Sequence, residues 1–332
     1  MAYDPNVLRR ATEALEEQRR VHQLNTARLR ADAYRRQPRL EQLDRQLQGT
    51  MAQLMAAALR RGESTREAVQ AIKQDNLSIQ AEREKLLTEL GLAPDALEYS
   101  PLCPHCGDSG WKGVQMCACL KKIYAQEQIR ELSKLLDLGS QSFDTFRLDY
   151  YSDQRSPNLP LSPRANMEWI LRLCKDFVSS FGKSGIKNLY FHGTPGLGKT
   201  FLSACIARAV SEQGRSVVYD TAGNIFTQFE DRKFSRGGDN QDARDETRRY
   251  LNCDLLILDD LGSELTTQFT QTALYELINT RLVAGRHTVI SSNLSLQEVA
   301  QRYSPQIASR ISGEYHDLWF FGQDIRVLKK QS

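Results

Sequence analysis

The sequence predicts an α/β protein with a parallel sheet flanked by helices, preceded by a helical domain and a small metal-binding module. Three stretches carry that expectation. NLYFHGTPGLGKTFLSACIARAVSEQG, residues 188–214, sets a glycine-rich loop between an apolar strand and a helix. LLILDD, residues 255–260, is an apolar strand that ends in two acids. CPHCGDSGWKGVQMCAC, residues 103–119, holds four of the chain's seven cysteines.

The bulk properties bound the reading. A chain of 332 residues is long enough for two or three compact units, because single cores rarely grow past ~200 residues. At 40% hydrophobic and 26% charged residues the composition is that of a soluble globular protein. The net charge of +3 neither requires nor excludes nucleic acid, so any basic surface has to be local. No run reaches the ~18 apolar residues of a membrane span. The opening MAYDPNVLRR lacks the apolar core of a signal peptide. A cytoplasmic location without membrane contact follows as the expectation. In such a reducing compartment, clustered cysteines read as metal ligands before disulfides.

The first hundred residues read as helices. Val7 to Tyr34 forms one, ended by Pro38. From Leu40 the apolar positions Leu43, Leu47, Met51, Leu54, Met55 and Leu59 keep to one helical face, and Arg60-Arg61-Gly62 closes it. Ser64-x-x-Glu67 opens a third helix as a capping box, with Leu86, Leu87 and Leu90 inside and Gly91 as its stop. Between residues 19 and 39 seven arginines face one acid, Asp32. That run is either a solvated helix face or a docking surface for an acidic partner or a nucleic-acid backbone. No catalytic group is evident here, so the region reads as a partner-binding module or scaffold.

Cys103-x-x-Cys106 and Cys117-x-Cys119 supply four soft ligands from two short pairs, the set a tetrahedral Zn²⁺ takes. Gly107, Gly110 and Gly113 permit the tight turns between them. His105 could replace one thiolate because the second pair is shorter than the usual CxxC. Four protein ligands leave no open position for water, which makes the expected zinc structural. Cys174, Cys205 and Cys253 sit in apolar surroundings and read as small core residues.

The strongest signal is Gly193-Thr194-Pro195-Gly196-Leu197-Gly198-Lys199-Thr200-Phe201, a phosphate-binding loop with both flanking elements. Its glycines let backbone N–H groups turn toward phosphate oxygens at a helix N-terminus. Lys199 is expected to reach the β and γ phosphates of ATP, and the Thr200 hydroxyl to ligate Mg²⁺. In the partner motif Asp259 is expected to hold Mg²⁺ through water. Asp260 stands where a base orients the attacking water, with Glu264 as a fallback. Two further apolar runs, Ser216–Tyr219 and Thr288–Ser292, alternate with helical stretches and complete the parallel sheet. Asn293 follows the second run, where an amide one strand over from Asp259 can hold the lytic water.

The half from about Phe143 to Val327 resembles the AAA+ ATPases of the bacterial replicative-helicase loaders, the DnaC/DnaI type. It is similar to the DnaC-like ATP-binding proteins of Gram-positive bacteria and their mobile elements. GTPGLGKTFLSACIA, LLILDDLGSE, TVISSNLS, IASRISG and FGQDIR carry the likeness. The amino-terminal helices and the cysteine cluster match the same layout. The resemblance implies that Asn293 is sensor 1, Arg310 an arginine finger for the neighbouring subunit, and Arg326 a sensor-2-like arginine. It also implies three regions: 1–98, which binds the helicase; 99–137, the zinc module and connector; and 138–332, the AAA+ domain.

The implied function is an ATP-dependent loader that binds the hexameric replicative DNA helicase and helps deposit it on single-stranded DNA. The implied assembly is a ring or spiral when ATP is bound. A second reading is the ATPase subunit of a DNA transposition system. Such proteins usually lack a cysteine cluster ahead of the ATPase. A small-molecule kinase is disfavoured by Asn293 and Arg310. For DNA contact, the segment between the Val217–Tyr219 run and Leu255 interleaves Phe226, Phe229 and Phe234 with Arg232, Lys233, Arg236, Arg244, Arg248 and Arg249. Phe226 and Phe229 share one helical face and read as core. Lys233 and Arg236, beside Gly237-Gly238, are the expected phosphate contacts.

Overall fold

The computed structural model describes residues 3–58, 64–134, 136, 141–183, 185–234 and 241–331. Its chain divides into two compact units, Glu13–Cys117 and Met1–Thr12 together with Ala118–Ser332. None of the described helices is long and apolar enough to cross a membrane.

The first unit contains most of α1 (Pro5–Arg36), then α2 (Pro38–Ala58) and α3 (Ser64–Glu89). Pro38 opens α2 where its missing N–H costs nothing, and α1 stops just before it. Leu40, Leu87 and Leu97 are fully or almost fully buried and close a small core with Ala33. Arg83 joins Asp44 across 2.6 Å, and the Tyr34 hydroxyl donates to the same carboxylate at 2.6 Å. Gly91, at φ +73°, ends α3, and the Leu92 amide returns to the Leu87 carbonyl at 2.9 Å. The sequence-expected end of α2 at residues 60–62 lies outside the described residues. Much of the arginine run is engaged within its own unit. Arg20 pairs with Glu17, Arg35 and Arg36 share Asp32, Arg39 meets Glu82, and Arg30 holds the Leu97 carbonyl. The turn between the cysteine pairs forms a two-stranded ribbon, β1 (Trp111–Lys112) with β2 (Gln115–Met116).

In the second unit α4 (Ala118–Leu132) and α5 (Pro163–Ser179) precede the sheet strands. In chain order these are β3 (Asn188–Gly193), α6 (Lys199–Glu212), β4 (Val217–Thr221), α7 (Ala222–Phe234), α8 (Gln241–Asn252) and β5 (Leu255–Leu261). The chain continues through α9 (Gln268–Val283), β6 (His287–Ser292), α10 (Leu296–Arg302), α11 (Pro305–Glu314), β7 (His316–Phe320) and α12 (Ile325–Gln331).

The strand order is β4-β5-β6-β3-β7, all parallel. Tyr190 stands opposite Ile290, and Ile257 opposite Val289. The central strands are near-continuous apolar runs because helices cover both faces. Phe191, Leu202, Ile257 and Val289 belong to one core, and Tyr190, Leu256, Leu274 and Ile290 to the other. Both margins of the sheet meet a side-chain amide. Gln128 of α4 accepts from Val217 N at 3.0 Å and donates to Arg215 O at 2.7 Å. Asn166 of α5 donates to Trp319 O on β7 at 2.8 Å.

The first turn of α1 belongs to this second unit. Asp4 caps it, accepting from Asn6 N and Val7 N at 2.9 and 3.0 Å, and its own amide meets the Tyr124 hydroxyl at 3.0 Å. Asp4 also forms an ion pair with Arg249 of α8.

Candidate nucleotide-binding site

The carboxyl ends of β3, β5 and β6 converge on a cavity of about 730 Å³. In parallel α/β sheets that edge is where ligands bind, because strand ends and helix N-termini face each other there. Pro195, Gly196, Leu197, Gly198, Lys199, Thr200 and Phe201 line it from the loop between β3 and α6. Gly193, at φ +138°, passes so close to the Phe320 carbonyl that a Cβ would collide with backbone. Gly196, at φ +80°, lies under the Asp324 carboxylate, so Gly193 is required by backbone space and both glycines by dihedral angle.

Lys199 is buried, and its ammonium donates to Gly193 O at 2.6 Å, Thr194 O at 3.0 Å and Asn293 Oδ1 at 3.0 Å. Burial lowers its pKa from the ordinary lysine value, Asp259 and Asp260 pull the other way, and Arg326 adds to the lowering. A polyphosphate entering this site would supply the anionic partner that the ammonium otherwise finds only in neutral acceptors.

Asp259 is held on both oxygens. Oδ2 accepts from the Tyr219 hydroxyl at 2.6 Å and from Thr200 Oγ1 at 3.3 Å, while Oδ1 accepts from the Ser291 hydroxyl. The Thr200 hydroxyl and the Asp259 carboxylate are hard oxygen donors at the phosphate end of the cavity, the set that Mg²⁺ takes with substrate phosphates. Tyr219 comes from β4 and Ser291 from β6, so each strand beside β5 braces the carboxylate. Sequence reasoning missed both braces, because a Tyr inside an apolar strand looks like core. Asp260 also lines the cavity, at φ +57°, a left-handed backbone uncommon for a residue with a side chain. Glu264, the fallback, is engaged elsewhere: Oε2 accepts from Gly262 N at 3.0 Å and Oε1 from the Tyr303 hydroxyl. It does not line the cavity.

Asn293 and Arg326 line the same cavity. Arg310, exposed on α11, does not. The rest of the lining comes from residues that no motif announced. Thr145, Phe146, Tyr150 and Tyr151 precede α5, and Ile325 and Lys329 lie on α12. Their signal in the sequence was an aromatic cluster, FDTFRLDYY at 143–151, in a segment too polar to be a strand.

The four cysteine sulfurs gather within 4.8 Å of one another, and Cys103 and Cys117 are 3.8 Å apart. Thiolates ~2.3 Å from a common tetrahedral centre stand about 3.8 Å apart, so the set fits zinc. His105 does not join it. Asp108 organises the turn, accepting from Cys103 N at 2.7 Å, Leu102 N at 3.0 Å and the Tyr99 hydroxyl at 2.7 Å.

For the DNA-contact expectation, Phe226 and Phe229 are buried. Arg232 pairs with Glu276 at 2.9 Å, and Arg249 with Asp4, Glu131 and Glu246. Lys233 lies over the Phe269 ring, 5.2 Å from its centroid. Arg236 lies outside the described residues.

Fold and phosphate site together define a P-loop nucleotide-binding domain on a parallel α/β sheet. Residues 173–311 match the family described as IstB-like ATP binding protein. The replicative helicase loader DnaC of Escherichia coli strain K12 is 23% identical over 141 residues, which is 42% of this chain and 56% of DnaC. An ATP-binding protein of a Mycobacterium tuberculosis insertion sequence is 25% identical over 164 residues, 49% of this chain and 57% of that protein. A crystal structure of the DnaC helicase loader aligns at 23% identity with a TM-score of 0.43, over 54% of this chain and 98% of that one. The chain thus spans a little over half the length of these two curated relatives.

Proposed function

We propose that this protein is an ATP-dependent loader that grips the replicative DNA helicase with its helical front and helps place it on single-stranded DNA. The observation that carries the reading is the pairing of an IstB/DnaC-type ATP-binding domain with a four-cysteine cluster and helices ahead of it. A relative named as a replicative helicase loader supports it. In this reading Lys199 neutralises the phosphates, and Thr200 and Asp259 hold Mg²⁺, which offsets charge on the transferring phosphoryl group. Asp260 and Asn293 orient the attacking water, Arg326 senses the phosphates within its own subunit, and Arg310 reaches the site of a neighbour in an ATP-bound ring or spiral. Cys103, Cys106, Cys117 and Cys119 hold a structural zinc. The site of action is the cytoplasm.

A second reading, the ATPase of a transposition system, is favoured by the match to the IstB-like family and by the insertion-sequence relative. Co-purification separates the two. A loader forms a stable complex with a hexameric replicative helicase. Failure with the helicase together with capture of a transposase would replace the first reading by the second.

A further inference from the structure

Asp259 and Asp260 are consecutive in β5, and both line the cavity. In a regular strand successive side chains point to opposite faces, so one of the two would be turned away. The register shows how both are kept. Leu258 stands opposite Ile290 and Leu261 opposite Ser292, which leaves Asp259 and Asp260 together facing Ser291 alone. One extra residue in one strand is a β-bulge, which bends the chain and re-aims a side chain. Asp260 carries the strain of it, at φ +57°.

The bulge is held from β6. The buried Ser291 hydroxyl donates to Asp259 Oδ1 and accepts from Asp260 N at 3.4 Å, so one hydroxyl engages both residues of the bulge. On the other side Ser263 closes the turn, its hydroxyl donating to Asp260 O at 2.9 Å. Among the described residues no side chain donates to the Asp260 carboxylate, so its direction is set by its own backbone. We propose that Ser291 is a positioning residue that pins the bulge of β5 and so aims Asp260 into the cavity. The proposal rests on the reading of Asp260 as the group that orients the attacking water, and adds to it what holds that group in place. Tyr219 bonds to Asp259, whereas Ser291 bonds to both acids. A weakened hold on Asp259 is offset by more Mg²⁺. A misdirected Asp260 slows the attack of water at any Mg²⁺ concentration, while ATP still binds.

The test is single-turnover ATP hydrolysis by the full chain, with ATP affinity measured in parallel. The chains compared are wild type, Ser291→Ala, Tyr219→Phe, Asp260→Asn and the double variant Ser291→Ala/Asp260→Asn. Alanine removes the hydroxyl and nothing else. Ser291→Ala is expected to keep its ATP affinity and to hydrolyse bound ATP about tenfold more slowly at saturating Mg²⁺. Tyr219→Phe is expected to recover fully as Mg²⁺ is raised. In the Asp260→Asn background Ser291→Ala should slow hydrolysis no further, because the group it aims is already gone. Full recovery of Ser291→Ala at high Mg²⁺ would confine the serine to Asp259 and overturn the proposal. An equal loss of rate in the Asp260→Asn background, or a loss of ATP affinity that matches the loss of rate, would overturn it too. Hydrolysis by Asp260→Asn at the wild-type rate would overturn the reading of Asp260 and the proposal with it.

Discussion

Tyr219 donates its phenolic hydrogen to Asp259 Oδ2 across 2.6 Å, from the strand paired directly beside β5. Burial first, and then the Asp259 charge, pushes the phenol well above its ordinary titration range, so it remains a donor at neutral pH. Partners that orient a metal-binding carboxylate typically matter about ten- to a hundredfold in metal affinity. Tyr219→Phe is therefore expected to raise the Mg²⁺ concentration for half-maximal ATPase activity about tenfold, with metal-free nucleotide affinity unchanged. An unaltered Mg²⁺ dependence would reduce Tyr219 to a packing residue.

Arg310 is exposed and stands outside the cavity of its own chain, whereas Arg326 lines it. A cation that acts only on the transition state of a neighbouring site leaves ground-state binding alone. Arg310→Ala should lose most ATPase activity and keep its nucleotide affinity. Mixing it with Asp260→Asn chains should restore part of the activity, because some sites then pair an intact Asp260 with an intact Arg310. No recovery at any mixing ratio would count against action between subunits.

The cysteine cluster predicts about one zinc per chain. Changing Cys103 and Cys106 together to Ser should release it. The loss should lower the protease resistance of residues 103–119 while nucleotide binding stays as it was, since none of the four cysteines lines the cavity. Metal analysis of carefully purified wild type that finds no zinc would contradict the assignment.

His287 supplies a pH dependence. It packs on Phe181 with centroids 4.1 Å apart, and its Nδ1–H donates to Lys187 O at 2.9 Å. Burial lowers its pKa from 6.5, so the folded chain keeps it neutral where the unfolded chain would protonate it. Stability tied to His287 is thus complete above about pH 6.5 and is lost as pH falls below that value, toward the lowered folded pKa. Denaturation midpoints of wild type should drop more steeply than those of His287→Asn between pH 7.5 and 5. Parallel profiles would show that the ring carries no such linkage.

The phosphate site was legible in the sequence because its chemistry is local: seven consecutive residues, Pro195 to Phe201, line the cavity. The strands announced by LYF, LLILDD and TVISS formed where periodicity put them, since a parallel strand buried on both faces reads as an unbroken apolar run. β7 escaped notice because HDLWF mixes exposed and buried positions at the margin of the sheet. The aromatic part of the lining was hidden for a different reason. Phe146 and Tyr151 acquire meaning only when the chain brings them back to Phe201 and Leu197, more than forty positions along. Arg249 shows another long-range effect. A cation in a basic-looking segment turned out to be spoken for by Asp4, a residue from the far end of the chain.

The two amides at the margins of the sheet set a limit on growth. A glutamine side chain carries one acceptor and one donor group, so Gln128 answers the amide of Val217 and the carbonyl of Arg215 much as another strand would. Asn166 does the same for the Trp319 carbonyl on the other side. A strand from a second molecule would have to evict these groups before it could join, and would gain nothing until it had replaced what it displaced. At these points the sheet is closed off, as a polymer chain is by its end-groups.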